Sequence, residues 1–262
     1  MHRRASRATG RCDHPALRLI LTLAISCGIG CRPDDPVLLP DASPAIPTDS
    51  TNRTIQVAPS DDWLGAIERV KLGQSQRIVL ESVADRQFFA AIQSLTGLRE
   101  LCLDGGMSSD IDLAKTIEGL QLTHLRVRLV PLEDPDIERL IEAQPQIRIL
   151  NLPHSRLTDQ GIQSLSRLKD LTLLRIGSPN LTDEAARAIP QLVQLKSLHL
   201  IGPRLGGDSL LEIAKAKNLQ SFYLDDCPLP DAAWEKMFRE RPDLHVHIDQ
   251  AHHDHDPKRD HL

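Results

Sequence analysis

The sequence predicts an α/β solenoid in which short parallel strands alternate with short helices. One pattern recurs every 24 or 25 residues, beginning with apolar residues at the first, fourth and sixth places of each unit. A leucine stands ten residues after the first place in five units, and an aspartate stands twelve residues after it in five units. One such unit cannot bury its own apolar edge, so successive units must stack.

Six units keep this pattern, and three separate positions would not stay in register over six units by chance. The apolar triplets are Leu98/Leu101/Leu103, Leu122/Leu125/Val127, Ile147/Leu150/Leu152, Leu171/Leu174/Ile176, Leu195/Leu198/Leu200 and Leu219/Phe222/Leu224. The later leucines are Leu132, Leu157, Leu181, Leu205 and Leu229, and the aspartates are Asp110, Asp134, Asp159, Asp183 and Asp231.

Each unit is predicted to hold one strand and one helix. The fourth and sixth places are two residues apart, so in a strand both side chains point to one face. A Thr-Asp or Pro-Asp pair then follows the later leucine, and such residues begin helices because their side-chain oxygens accept free N–H groups of the first turn. Helically spaced apolar residues come next, as at Ile162, Leu165 and Leu168.

The ends of the repeat region are predicted to be capped. Residues 60–97 are interpreted as an N-terminal cap and first repeat, with a helix to about Lys71, a strand near 77–81 and a helix near 85–95. The repeats proper cover residues 98–250. Val246 and Ile248 lie 24 residues after Phe222 and Leu224 and predict a last strand. The total is about eight parallel strands.

The segment Leu157-Thr158-Asp159-Gln160-Gly161-Ile162 resembles the L-T-D-x-G-[LI] variant of the leucine-rich repeat family. This variant occurs in many secreted bacterial repeat proteins and in the repeat domains of F-box proteins. The resemblance covers roughly residues 75–250. It implies a right-handed horseshoe arc with parallel strands on the concave face, helices on the convex face and a role in binding. The matching residues are structural and do not identify a ligand.

One feature of that family is absent from this sequence. The asparagine usual at the ninth place, which supplies an internal hydrogen-bond ladder in the family, is replaced in every unit. The residues there are Gly106, Val130, Ser155, Pro179, Pro203 and Cys227.

The N-terminus predicts export. Five arginines precede an apolar run over residues 19–30, which is too short to span a bilayer and fits a signal peptide over residues 1–30. Small residues precede both Cys27 and Cys31, as in bacterial lipoprotein cleavage sites. We favour Cys31 as the lipidated residue because the apolar core before it is longer, and Cys27 stays the alternative. Residues 31–59 are rich in Pro, Asp and Ser and are interpreted as a disordered tether.

Composition argues against nucleic-acid binding. The chain has a net charge of -5 and only 3% aromatic residues. Residues 1–30 carry five arginines and one aspartate, or +4, so removing them leaves -9. A chain with net negative charge, no row of basic residues and few aromatic residues for base stacking is not expected to bind DNA or RNA.

Motifs of catalysis are missing from the sequence: there is no phosphate-binding glycine loop, no G-x-S-x-G, no H-E-x-x-H and no paired C-x-x-C. Cys102 and His124 imitate a thiol–imidazole pair, but we interpret them as solvent-facing strand residues. Cys227 is assigned a packing role. Cys102 and Cys227 lie five repeats apart, roughly 24 Å, which is too far for a disulfide. We expect no enzymatic activity and no cofactor.

The predicted binding surface is the concave face, where the third and fifth places of each unit point away from the core. Ile149 and Leu173 form an apolar spot on adjacent strands, and arginines border it. An arginine, tyrosine and aliphatic cluster of this kind is typical of protein-binding sites. The predicted binding residues are Arg126, Arg128, Ile149, Asn151, Leu173, Arg175, His199 and Tyr223.

Residues 251–262 form a tail rich in histidine and aspartate. Its weak candidates for metal ligands are His252, His253 and His255, but no ligand spacing in the tail is diagnostic, so we predict no metal site.

Three functional hypotheses follow. The first is a non-enzymatic interaction module, exported and lipid-anchored at the periplasmic or outer surface of a bacterial envelope, that binds a protein or an envelope polymer. The second is a substrate adaptor like the F-box repeat proteins. The third is a metal-handling envelope protein that uses the histidine-rich tail.

Overall fold

A computed structural model describes residues 63–252 of the chain. The predicted signal peptide, the tether and both candidate lipidation cysteines lie outside the described residues, as does the tail from residue 253. Within this range nine strands form one sheet in sequence order. The strands are β1 (Arg77–Leu80), β2 (Glu100–Leu103), β3 (His124–Val127), β4 (Ile149–Leu152), β5 (Leu173–Gly177), β6 (Ser197–Ile201), β7 (Ser221–Asp225), β8 (His245–Ile248) and β9 (Ala251–His252).

The first eight strands pair in parallel, as the sequence predicted. Their register repeats the sequence period, because Leu101, Leu125 and Leu150 are successive partners across the sheet. The architecture is therefore an α/β leucine-rich repeat solenoid. Strand β9 was not predicted, because it has only two residues and pairs with β8 in the antiparallel direction.

A helix joins each pair of consecutive parallel strands, and one more helix precedes β1. The helices are α1 (Trp63–Lys71), α2 (Arg86–Ile92), α3 (Leu113–Thr116), α4 (Asp134–Ala143), α5 (Asp159–Ser164), α6 (Asp183–Ala188), α7 (Ser209–Ala214) and α8 (Asp231–Glu240). The first predicted repeat helix ends at Ile92 rather than near residue 95. No helix within residues 63–252 is long and apolar enough to cross a membrane.

The core lies between the sheet and the helices. Side chains at the fourth place of successive units stack there and are fully buried: Leu101, Leu125, Leu150, Leu174, Leu198, Phe222 and Val246. Burial of one such aliphatic side chain contributes about 1.5–3 kcal/mol. With no disulfide among the described residues, stacked apolar burial is the main source of stability.

Both ends of the described stack are covered. At the N-terminal end, Trp63 of α1 meets Phe88 edge to face, with ring centroids 5.8 Å apart. At the other end, Trp234 of α8 is buried beside Phe222. The guanidinium of Arg241 also donates hydrogen bonds to the carbonyl oxygens of three residues at the end of the preceding repeat, Ala214, Ala216 and Leu219.

The aspartates that follow the later leucines join neighbouring repeats. Asp159 accepts hydrogen bonds from the main-chain N–H and the hydroxyl of Thr182, one repeat further along, at 2.7 and 2.6 Å. Thr182 in turn caps α6 by accepting from the N–H of Glu184. The predicted capping role of threonine is thus confirmed, while the inter-repeat role of aspartate was not foreseen.

Serines supply part of the hydrogen bonding expected from the missing asparagines. Ser155, at the ninth place, donates to the carbonyl oxygen of Gly177 at 3.0 Å. Ser178, at the eighth place of the next unit, donates to the carbonyl oxygen of Leu157 at 2.7 Å. Both hydroxyls are buried, so each bond satisfies a carbonyl group that water does not reach.

Candidate functional site

The sheet face opposite the helices, which we call the concave face, carries two rows of side chains. Strand pairing sets the rows, because residues at the same place of successive units are direct partners. The first row is Arg77, Glu100, His124, Ile149, Leu173, Ser197, Ser221 and His245. The second row is Val79, Cys102, Arg126, Asn151, Arg175, His199, Tyr223 and His247.

Four of the predicted binding residues lie in the middle of these rows and a fifth, Arg128, directly follows β3; we call these five the central patch: Arg126, Arg128, Ile149, Leu173 and Arg175. Ile149 and Leu173 are partners on β4 and β5 and are both half-buried. The structure therefore brings the predicted apolar spot and its arginines together. Burial and the positive charges of Arg128 and Arg175 lower the pKa of His154, which places the imidazole close to both cations.

Asn151 differs from its prediction. We expected a solvent-facing side chain, but the residue is only 7% exposed. It lies between Arg126 and Arg175 in the sheet register. Neighbouring strands are only about 4.8 Å apart, so two long side chains can shield a short amide between them. Asn151 Oδ1 is buried without a hydrogen-bond partner among the described residues.

Arg126 also has a neighbour that the sequence did not reveal. Its Nε lies 2.9 Å from a carboxylate oxygen of Asp104, which follows β2 directly. Arg128 forms no salt bridge with an acidic side chain anywhere in the described range. The positive charge at the centre is therefore compensated at Arg126 and uncompensated at Arg128.

Leu129 was missed by sequence reasoning. It follows Arg128 after β3, is 61% exposed, and has a φ of 58°, in the left-handed region. Its N–H donates to His154 Nδ1 at 3.1 Å. Gly202 holds the same place in a later unit with a φ of 66°. A leucine in a place that favours glycine was the available signal, because bulky residues rarely adopt this backbone.

The C-terminal part of the concave face contains the other two predicted binding residues. His199 Nε2 lies 2.8 Å from Asp225 Oδ2, and the ring of His199 lies 5.4 Å from that of Tyr223. Tyr223 stacks on His247 with centroids 4.6 Å apart. Burial acts to raise the pKa of Asp225, but the hydrogen bond and charge of His199, the N–H of Gln250 and the charge of Arg175 together lower that pKa below its ordinary value.

A cavity of about 320 Å³ opens beside this group. Arg175 lines it together with the acidic side chains of Asp225, Asp226 and Asp249. Asp226 and Asp249 both have positive φ, so the loops after β7 and β8 carry carboxylates on backbone that favours glycine, asparagine or aspartate. The cavity therefore lies between Arg175 of the central patch and the carboxylates that follow β7 and β8.

The other end of the face brings Cys102 and His124 together, as their partnered strands predicted, and adds Glu100. Our interpretation of Cys102 as solvent-facing is wrong, since it is only 2% exposed. Neighbouring side chains on a tightly spaced sheet cover this short thiol. Burial, followed by the charge of Glu100, raises the pKa of Cys102 to about 12. Cys227 is a free, buried core residue, which confirms its packing role.

The tail contributes little to the described structure. Ala251 and His252 form β9 along β8, so the backbone at the start of the tail is part of the sheet. The candidate ligands His253 and His255 lie outside the described residues. The metal-binding hypothesis for the tail stays a prediction.

Comparisons with known proteins were made for family, sequence and structure. No protein-family model and no curated protein matches the chain. Similar solved structures include internalin C2 of Listeria monocytogenes, with 16% identity over 69% of this chain and 83% of that one, at a TM-score of 0.45. A leucine-rich repeat protein of Leptospira interrogans has 19% identity over 69% of this chain and 50% of that one, at a TM-score of 0.46.

A further internalin of Listeria monocytogenes has 19% identity over 62% of this chain and 51% of that one, at a TM-score of 0.41. This chain thus spans about half the length of two of the three proteins. These values carry no information on ligands. The repeat period, the eight parallel strands and the stacked leucine core of this chain themselves define its leucine-rich repeat fold.

Proposed function

We propose that the chain is a non-enzymatic interaction module whose concave face binds an acidic, partly apolar segment of another protein. The observation that carries this proposal is the pair Arg128–Leu129. It combines a cation without an acidic partner in the described range and a leucine that is 61% exposed on left-handed backbone. Strained residues of this kind persist where the surrounding structure holds them and are concentrated at functional sites.

The apolar component of the surface is larger than one residue. Ile149 and Leu173 are half-buried partners on adjacent strands in the central patch. Protein-binding sites concentrate their energy in such a centre, where aliphatic or aromatic groups are desolvated beside arginines. Tyr223 and His199 extend the same face toward its C-terminal end.

The charges of the arginines on this surface indicate an acidic partner. Arg77 is held by Glu100 at 2.9 Å and Arg126 by Asp104 at the same distance, so both cations are already compensated. Arg128 has no such partner in the described range, and its charge acts on His154. A carboxylate of the bound segment would pair with Arg128. Complementary charges of this kind orient the partner and increase its rate of association.

Export and anchoring belong to the same proposal and are supported by the N-terminal sequence alone. The arginine-rich start, the apolar run and Cys31, with Cys27 as the alternative, are typical of an exported bacterial lipoprotein. The tether over residues 31–59 would hold the solenoid away from the membrane, facing the periplasm or the cell surface. A partner at the envelope would then be reached by the concave face.

Site-specific photo-crosslinking in the producing bacterium tests the binding face. A photoreactive residue in place of Leu173 should give one discrete protein adduct, and mass spectrometry should place the cross-link in an acidic segment. Adding Arg128→Glu should reduce the yield at least tenfold. The same probe at Arg187, on α6 of the convex face, is the control. Equal adducts at both positions, or an adduct with a polymer instead of a protein, would contradict the proposal.

A further inference from the structure

Three potential metal ligands converge at the N-terminal end of the concave face. Glu100 and Cys102 belong to β2, and His124 belongs to β3 as the direct partner of Glu100. Glu100 Oε1 lies 3.7 Å from Cys102 Sγ and 3.1 Å from His124 Nδ1. The three ligand atoms all lie within 4.8 Å of one another.

We propose that Glu100, Cys102 and His124 form a Zn²⁺ site. A thiolate, an imidazole and a carboxylate together favour zinc over magnesium or calcium, which prefer oxygen ligands alone. With Zn–S near 2.3 Å and Zn–N or Zn–O near 2.1 Å, tetrahedral coordination places sulfur about 3.6 Å from oxygen and nitrogen about 3.4 Å from oxygen. The observed sulfur–oxygen and nitrogen–oxygen distances of 3.7 and 3.1 Å lie within a few tenths of an ångström of these values, and sulfur and nitrogen lie within 4.8 Å of each other.

The burial of the three ligands shows which side of the site is open. Cys102 is 2% exposed and forms the floor. The side chains of Glu100 and His124 are 24% and 15% exposed, so the opening faces the concave surface. Three protein ligands leave one tetrahedral position for a water molecule or for an anionic group of a bound segment. The site does not depend on the proposed protein-binding function, because its ligands lie outside the central patch.

Binding of the ion requires the loss of one proton from the site. On binding, the S–H bond of Cys102 breaks, a Zn–S bond forms, and one proton leaves to solvent. The thiolate and the Glu100 carboxylate then offset the two positive charges of the ion, with His124 neutral. Arg77, 2.9 Å from Glu100, competes for the same carboxylate. Removing that guanidinium should therefore strengthen metal binding.

The Co²⁺ ion is a suitable probe, because a cobalt–thiolate bond absorbs light and Zn²⁺ in the same site displaces it. The experiment uses the full chain with His252, His253 and His255 changed to asparagine, so that the tail does not compete. We expect one equivalent of Co²⁺ to give the thiolate absorption with release of about one proton, and one equivalent of Zn²⁺ to remove that absorption without further proton release.

Variants separate this site from other thiols. Cys102→Ser should abolish the absorption, whereas Cys227→Ser, the matched buried control, should retain it. His124→Asn and Glu100→Gln should each weaken Zn²⁺ binding at least tenfold, and Arg77→Gln should strengthen it severalfold. Circular dichroism verifies that each variant is folded. Absence of the absorption in the parent chain, its survival in Cys102→Ser, or unchanged affinity in a folded His124→Asn variant would overturn the proposal.

Discussion

Asp134 accepts hydrogen bonds from both the main-chain N–H and the hydroxyl of Thr158, 24 residues further along the chain, at 2.9 and 2.5 Å. Asp159 repeats the arrangement with Thr182, and Asp183 accepts from the N–H of Gly206. In these three units the aspartate therefore joins one helix start to the next repeat. It satisfies N–H groups that a helix start leaves without internal partners.

The first prediction concerns this ladder. Asp159→Ala should lower the free energy of unfolding by about 1–3 kcal/mol, because Thr182 and Ala185 would lose an acceptor for their N–H groups. Urea denaturation measures the loss. Asp208→Ala is the control, since Asp208 precedes α7 without a side-chain capping bond and its loss should change stability by less than about 0.5 kcal/mol. Equal effects would show that the ladder carries no stability.

The second prediction concerns the core register. Leu150 is fully buried at the fourth place of its unit. Leu150→Asp should destabilise the fold by several kcal/mol, because the carboxylate would have no partner there. Loss of the circular dichroism signal at ambient temperature is the expected result. Gln163→Asp, on the exposed side of α5, is the control and should leave the melting curve nearly unchanged. A stable Leu150→Asp variant would mean that the assigned register is wrong.

The repeat pattern was sufficient to predict the strands, because a 24-residue period of leucines has only one way to stack its apolar positions. It could not predict the environment on the concave face. Asn151 and Cys102 occupy places that point away from the core, yet both are buried by longer neighbours such as Arg126 and Arg175. That shielding depends on side-chain lengths in three adjacent repeats.

The sequence pattern also could not predict three local features: the aspartate contacts between repeats, the strained backbone at Leu129 and the short strand β9. The Thr-Asp motif predicted helix starts but not that the aspartate bonds to the following repeat, since this contact requires the stacked geometry. The positive φ of Leu129 depends on the backbone of the loop after β3, and the pattern of apolar residues does not specify it. Strand β9 was too short to leave a period-2 signal.

The third prediction uses this strain. Leu129→Gly should keep or raise stability by up to about 1.5 kcal/mol. Relief of left-handed strain contributes about 1–2 kcal/mol, while the greater freedom of glycine in the unfolded chain costs about 0.5–1 kcal/mol. The same change should reduce cross-linking of the partner at Leu173, because it removes the exposed apolar side chain of the proposed site.

Val193→Gly is the matched control, because Val193 is 57% exposed and has no positive φ. It should lose about 0.5–1 kcal/mol in thermal unfolding and leave cross-linking unchanged. If Leu129→Gly loses as much stability as the control, the left-handed backbone is not strained. If it leaves cross-linking intact, Leu129 does not contact the partner.

The fourth prediction concerns acid stability. The pKa of Asp225 in the folded protein lies below its ordinary value, because burial, which raises it, is outweighed by the hydrogen bond and charge of His199 together with the N–H of Gln250 and the charge of Arg175. A lowered folded pKa stabilises the fold above the unfolded pKa, near 4, and this stabilisation is lost as the pH falls further, through the folded pKa. Asp225→Asn should therefore reduce the dependence of stability on pH below about 4.

Chemical denaturation at a series of acidic pH values measures that dependence. His199→Asn should reduce it as well, because it removes the group that lowers the pKa of the carboxyl. An unchanged acid profile in both variants would place the acid-sensitive contacts elsewhere in the fold.

The fifth prediction concerns anchoring. If Cys31 is the lipidated residue, Cys31→Ser should release the protein from the membrane fraction and abolish incorporation of labelled palmitate, whereas Cys27→Ser should change neither. The reason is chemical: acylation requires a thiol at the residue that becomes the new N-terminus, and a serine hydroxyl does not replace it. The reverse pattern would assign the cleavage site to Cys27. Membrane association that survives in the double variant, without label, would contradict a lipid anchor at either cysteine.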